Sequence, residues 1–401
     1  MSFHTASQLP VPLNPSALLW ARTESGFPPD RVAHRLNVKV ERVLAWEQGE
    51  RFPTLKQTRD LARFYHRPVS IFFSPGLPQV PPLAAEYRRL PGIVAGHESP
   101  ELRLALRQMS LRREQALNLT EELGDDLPQF NFKAHLDEDP AMVGARLRGL
   151  LDIAIDTQAK WPNEWRAWHQ WRGAAERLGV LVFQFGKVKL HEVRGLSLFR
   201  FPLPVVGING KEFPGSKSYT LMHELIHLML AVGKEEKTAL KEDRTEKQWE
   251  GVERFAEIAA SHALVPESAL VEVAGPNKRP NDLWDIEQVR RFAKRFRIST
   301  LAMATRLRAS GYMSWAAYQD WKEKWDAYLS KIGPRTGGIA SPAEKAINRS
   351  GRPFVQLVLE ALNANRIASV DAARYLDLKF QHFEELKKNL RIESGRSELY
   401  D

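Results

Sequence analysis

The stretch SYTLMHELIHLML, residues 218–230, decides how the rest of the chain is read. Met222, Leu225, Ile226, Met229 and Leu230 recur at helical spacing, which predicts a buried helix. Into that apolar setting the sequence inserts His223, Glu224 and His227. Polar groups buried in this way need partners. Residues four apart lie one turn apart on one helical face, so both imidazoles can reach a single metal ion, and Zn²⁺ is the expected one. Glu224 points about 100° away from His223 around the helix. It then lies beside the ion rather than on it, where a carboxylate can take a proton from an activated water. Gly233 stands where a helix stop is expected.

Two histidines leave a catalytic zinc short of a third protein ligand. WEGVERFAEIAASHALVP, residues 249–266, supplies candidates. Glu250, Glu253 and Glu257 recur on one helical face, and Ala256 and Ala260 would let that helix pack closely on the first. Glu253 is the expected ligand, with Glu250 as the alternative. Glu257, one turn on, is expected to accept the remaining N–H of a ligand histidine. His262 falls on the opposite side of the helix and reads as structural.

Composition narrows the chemistry. The chain of 401 residues has no cysteine, so disulfides, cysteine nucleophiles and thiolate metal sites are excluded. Any metal must be held by His, Asp and Glu. The length suits two or three domains. No apolar run approaches the ~20 residues that span a bilayer, so no membrane partner is expected. MSFHTASQLPVPLNPSALLW lacks a basic segment followed by an apolar one, so it is not a secretory signal and a cytoplasmic location fits. The net charge of +9 permits contact with nucleic acid or an acidic protein.

Four segments emerge along the chain: 1–74, 75–164, 165–320 and 321–401. SPGLPQVPPL, residues 74–83, is the clearest boundary. Helices are expected over 98–124, 140–180, 217–231 and 247–263, and again from about 285, with a Gly/Pro break at IGPRTGG, 332–338. GVLVFQF (179–185), GLSLFRF (195–201) and PVVGIN (204–209) read as strands of a small sheet. PVVGIN is expected to pair with an extended substrate by strand addition. Trp161, Trp165, Trp168 and Trp171 form a helical stripe suited to packing.

PDRVAHRLNVKVERVLAWEQ, residues 29–48, has the pattern of a helix-turn-helix. Ala33 is the small residue where two helices cross. Asn37 takes the turn position and tolerates a left-handed backbone. Val38, Val43 and Trp46 lock the second helix to the first. Lys39, Arg42 and Gln48 are the candidate DNA contacts. Val40 and Glu41 stand where a polar base reader is expected, so docking or dimerisation stays open as the role of this unit.

Taken together, His223, Glu224, His227, the helix GVERFAEIAASHALVP and the preceding RGLSLF and PVVGIN resemble the ImmA/IrrE family of zincin metallopeptidases. Glu253 falls on that family's glutamate ligand, Ala256 on its alanine, and Leu264 and Pro266 on its L-x-P ending. Glu257 stands where the family has asparagine, and Ala259 where it has phenylalanine. Leu18 to Phe73 resembles the Xre-type repressor domain. The implied fold is multidomain and mainly α: an all-α helix-turn-helix domain (1–74), a proline-rich linker with connecting helices (75–164), an α+β zincin-like peptidase domain with a small sheet (165–320), and a helical C-terminal region (321–401). The implied activity is zinc-dependent cleavage of a partner repressor encoded nearby, in a stress or mobile-element circuit. The alternative is a DNA-binding regulator or toxin–antitoxin component whose zincin fold senses or docks.

Overall fold

A computed structural model describes residues 9–276, 284–332 and 340–397. Residues 333–338 of the expected Gly/Pro break, and the outermost residues of the first and last segments, lie outside the described residues. Contacts divide the chain into two compact units. The first holds the residues up to Ala85 together with Ile93–Gln108, and the second holds Glu86–Gly92 and everything from Met109 onward. The architecture is mainly helical, with one three-stranded sheet among the described residues. No described helix is long and apolar enough to cross a membrane.

Helices α1 (Pro15–Glu24), α2 (Pro29–Leu36), α3 (Val40–Glu47) and α4 (Leu55–Tyr65) belong to the first unit. The Asn14 side chain accepts from the Ser16 and Ala17 amides and starts α1. Thr54 and Gln57 form a reciprocal capping box that starts α4. Asn37 ends α2 in the left-handed conformation, with φ 52° and ψ 51°. Val32, Val43, Trp46, Leu61, Tyr65 and Phe72 fill the core, and the Arg22–Glu47 ion pair (2.6 Å) neutralises the buried Glu47 carboxylate. Helix α5 (Pro100–Leu123) contributes residues to both units.

The second unit continues with α6 (Pro140–Leu151), α7 (Ile155–Lys160), α8 (Glu164–Arg177), β1 (Leu181–Phe185), β2 (Gly195–Leu198), β3 (Val205–Asn209), α9 (Pro214–Val232) and α10 (Glu246–Leu264). Then follow α11 (Glu267–Ala274), α12 (Ile286–Phe296), α13 (Thr300–Ala309), α14 (Trp315–Ile332), α15 (Pro342–Ser350), α16 (Arg352–Asn363), α17 (Ser369–Tyr375) and α18 (Phe383–Ser397). The tryptophan stripe is interrupted, because Trp161 caps the end of α7 while the other three lie on α8. Pro162 follows Trp161 and removes the amide a continuous helix would need.

The strand order is β1-β3-β2. β1 runs parallel to β3, with Leu181 opposite Val205, and β2 runs antiparallel, with Leu198 opposite Val205. β3 is therefore central and paired on both sides, so PVVGIN cannot receive an added strand. The outer strand on that side is β2. β3 is buried along its whole length, as a strand covered on both faces must be.

α9 lies beneath this sheet with Leu225, Ile226, Met229 and Leu230 fully buried. Truncating any one of them to alanine would cost about 2–5 kcal/mol. Three glycines permit close approaches in this part of the fold. A Cβ on Gly195 would lie 2.3 Å from Thr220 Cγ2 and 2.9 Å from Glu224 Oε1, so only glycine lets β2 approach α9 this closely. A Cβ on Gly144 would lie 2.3 Å from the Ala259 carbonyl oxygen, so only glycine lets α6 cross α10 here. Gly233 does end α9, but with an ordinary helical φ of −71°. The left-handed residue is Lys234, with φ 64°. Gly233 is required instead because a Cβ would meet the Ala134 carbonyl at 2.2 Å.

Candidate metal centre

His223 and His227 project from α9 toward Glu253 on α10. His223 Nε2 lies 3.2 Å from Glu253 Oε2. The two imidazole Nε2 atoms lie 3.0 Å apart, and His227 Nε2 is 3.5 Å from Glu253 Oε1. One ligand atom from each residue falls within a sphere of contacts no wider than 4.8 Å. His227 is fully buried, whereas His223 and Glu253 keep 13% and 16% of their side-chain surface exposed, so the group has one open side.

The donor chemistry fits a cation. His227 Nδ1 lies 3.1 Å from Glu236 Oε2. When Nδ1 carries the proton toward that carboxylate, Nε2 is left as a lone pair facing Glu253 and His223. Burial holds His227 well below its ordinary pKa, with Arg88 adding to the effect, so this ring stays neutral and able to ligate. Burial also lowers His223, but the hydrogen bond and charge of Glu253 outweigh it and leave the ring raised. Burial pushes Glu253 up, yet Arg88 and then His227 and His223 overcome it and hold the carboxylate far below the usual range. Burial pushes the Glu236 carboxyl up to about 8, and its Oε1 has no hydrogen-bond partner. A dication held by His227 would favour the ionised form of Glu236.

Glu224 sits beside this group and is 1% exposed. Ser197 Oγ, from β2, donates to Glu224 Oε2 at 2.7 Å. Arg88 holds both oxygens of the same carboxylate, Nε to Oε2 at 3.0 Å and Nη2 to Oε1 at 2.9 Å. Its Nη1 reaches Glu253 Oε1 at 3.0 Å. Burial favours the neutral acid at Glu224, but Arg88 reverses that and keeps the carboxyl below its ordinary value. Arg88 itself is 2% exposed.

Three members of this constellation escaped the sequence reading: Arg88, Glu236 and Ser197, the last of them inside the run RGLSLF but not singled out there. Arg88 lies 136 residues before Glu224 in a proline-rich region, with no motif around it. Glu236 lies nine residues beyond His227, past the end of α9, where helical periodicity no longer assigns a face. The only available signal was that buried histidine ligands need acceptors and buried carboxylates need cations.

Glu257 does not take the role expected of it. Its carboxylate pairs with Arg308 on α13 at 3.0 Å and is 42% exposed, while the remaining His223 nitrogen, Nδ1, has no hydrogen-bond partner. Four residues turn a helix about 40° past a full turn, and that carries Glu257 away from α9 and toward α13. Glu250 is exposed. His262 meets Arg306 at 3.2 Å, away from the metal-type group. In the first unit Lys39, Arg42 and Gln48 are all exposed, on α3 and at its two ends.

Residues 175–308 match the family model of the IrrE N-terminal-like domain, a peptidase family. The chain therefore carries a peptidase-like domain over those residues, and the match supports the ImmA/IrrE resemblance. No curated protein and no solved structure matches the chain.

Proposed function

We propose that the chain is a zinc-dependent endopeptidase that cleaves a partner repressor in the cytoplasm, with a DNA-binding helix-turn-helix in its first unit. The observation that carries this reading is the convergence of His223, His227 and Glu253 beside the buried carboxylate of Glu224. His223, His227 and Glu253 would hold the ion. When bound there, zinc supplies Lewis acidity, polarising a peptide carbonyl and making a water acidic enough to attack at neutral pH. Glu236 fixes the ring of His227 and its tautomer. Glu224 accepts the proton of the attacking water on one carboxylate oxygen and returns it to the leaving amine, while Ser197 Oγ orients that carboxylate. Lys39, Arg42 and Gln48 are the DNA contacts of this account. Co-expression with products of neighbouring genes tests it. Loss of one product with the wild type, but not with Glu224→Gln, is expected. Equal survival of every product with both forms would overturn the assignment.

One observation favours a second reading, a regulator or toxin–antitoxin component that docks or senses. Arg88 occupies the proton-accepting oxygens of Glu224. A docking fold would tolerate that permanently, whereas a peptidase must release it.

A further inference from the structure

The outer edge of β2 is where an extended peptide would add to the sheet beside α9. That edge is already taken by the chain itself. The Arg88 amide donates to the Ser197 carbonyl at 3.1 Å, and the Phe199 amide donates to the Glu86 carbonyl at 2.9 Å. Tyr87 and Leu198 form an antiparallel bridge. On its other side the same short segment accepts from the Ala239 amide, at the Tyr87 carbonyl, at 2.8 Å. Residues 86–88 thus lie as an intramolecular strand in the place a substrate strand would use.

The side chain of this strand reaches the chemistry. Arg88 bonds both oxygens of Glu224 and one of Glu253. A carboxylate gripped by a guanidinium fork is a poor proton acceptor. An oxygen of Glu253 tied to Arg88 is drawn from the ion, and a fixed positive charge beside the three donors repels a dication. Arg88 is nearly inaccessible, so solvent screens these contacts little. The segment Glu86–Gly92 continues at both ends into residues of the first unit.

Resting on the zinc-site reading above, we propose that residues 86–88 are an autoinhibitory strap. Arg88 plugs the metal-binding and base carboxylates, and the strap must leave the β2 edge before a peptide substrate enters. Strap closure and zinc binding are then antagonistic. A rival role for Arg88, as a support that holds Glu253 and Glu224 in place for the ion, predicts the opposite sign.

Binding reciprocity makes the two distinguishable in the unmodified full-length chain. Amide hydrogen exchange is followed at Arg88, Phe199 and Ala239 with and without zinc sulfate. The strap proposal expects exchange at these three amides to accelerate about fivefold or more on zinc saturation, while core amides of α9 are unchanged or slowed. Unchanged or slower exchange at all three overturns it. Zinc affinity, measured by competition with a chromogenic chelator, is expected to rise about tenfold in Arg88→Gln. An unchanged or lower affinity in that variant, with its fold intact by circular dichroism, overturns the proposal. Arg88→Lys, which keeps the charge but loses the fork, is expected to fall between the two, and it serves if Arg88→Gln does not fold. Absence of zinc binding in every form removes the zinc-site reading, and the strap proposal falls with it. Zinc binding without the expected changes removes the strap alone.

Discussion

Gly144→Ala is the perturbation that couples fold to site most directly. The added Cβ would lie 2.3 Å from the Ala259 carbonyl oxygen, 3.1 Å from its carbon and 2.9 Å from His262 Cβ. Ordinary contact needs more than about 3.4 Å, so α6 and α10 must separate by about 1 Å. Backbone lines one side of the clash, and no rotamer change relieves it. Glycine to alanine inside a helix gains up to about 1 kcal/mol in propensity, while overpacking costs about 1–3 kcal/mol. With backbone involved the upper end applies, for a net loss of about 2 kcal/mol and a fall in Tm of about 4 °C. Glu253 lies on the same helix as Ala259, so zinc affinity should fall about tenfold as the donor set opens. Gly149→Ala is the internal control, since it is on α6 with nothing within 4 Å of a built Cβ. It should leave zinc affinity unchanged and raise Tm slightly. Thermal melts and chelator competition on both variants decide the matter. Equal behaviour of the two would refute the reasoning that close packing of α6 on α10 sets the position of Glu253.

Three other outcomes are expected. Glu236→Ala removes the acceptor of His227 Nδ1 and should lower zinc affinity about 10–100-fold, read by the same competition assay. Glu257→Ala, which loses only the pair with Arg308, should leave zinc affinity within about twofold. Lys217 is buried beneath Trp165 and Trp168 with Nζ 2.7 Å from Gln184 Oε1, and burial lowers its ammonium to about 8. Between about pH 8 and its ordinary value of 10.5 the unfolded chain holds a proton that the folded chain has released, so stability rises with pH across that window, by at most about 3 kcal/mol. Urea midpoints from pH 7.5 to 10 should show the rise in the wild type and lose it in Lys217→Met.

What the sequence reveals here is what local periodicity carries. His223 and His227 four residues apart, and Glu253 on an alanine-lined helix, require only a regular helix for their relation to be read. The sheet was readable as three apolar runs but not as an order of strands. The unbroken burial of β3 is the physical mark of a central strand, and PVVGIN already carried it as a nearly continuous apolar run. Glu257 was misplaced because helical arithmetic gives a direction, not a neighbour, and α13 supplies Arg308 to that face. Arg88 was illegible for a different reason. Its ion pairs join residues 136 and 165 positions apart, and which cation balances a buried carboxylate is settled by tertiary packing alone.

The most direct measurement is the zinc content of the purified full-length chain after zinc addition and desalting, alongside His223→Ala and Glu253→Ala. The account predicts about one zinc per chain in the wild type and a loss of most of it in both variants. A wild type without zinc, or variants that hold as much as the wild type, would contradict it.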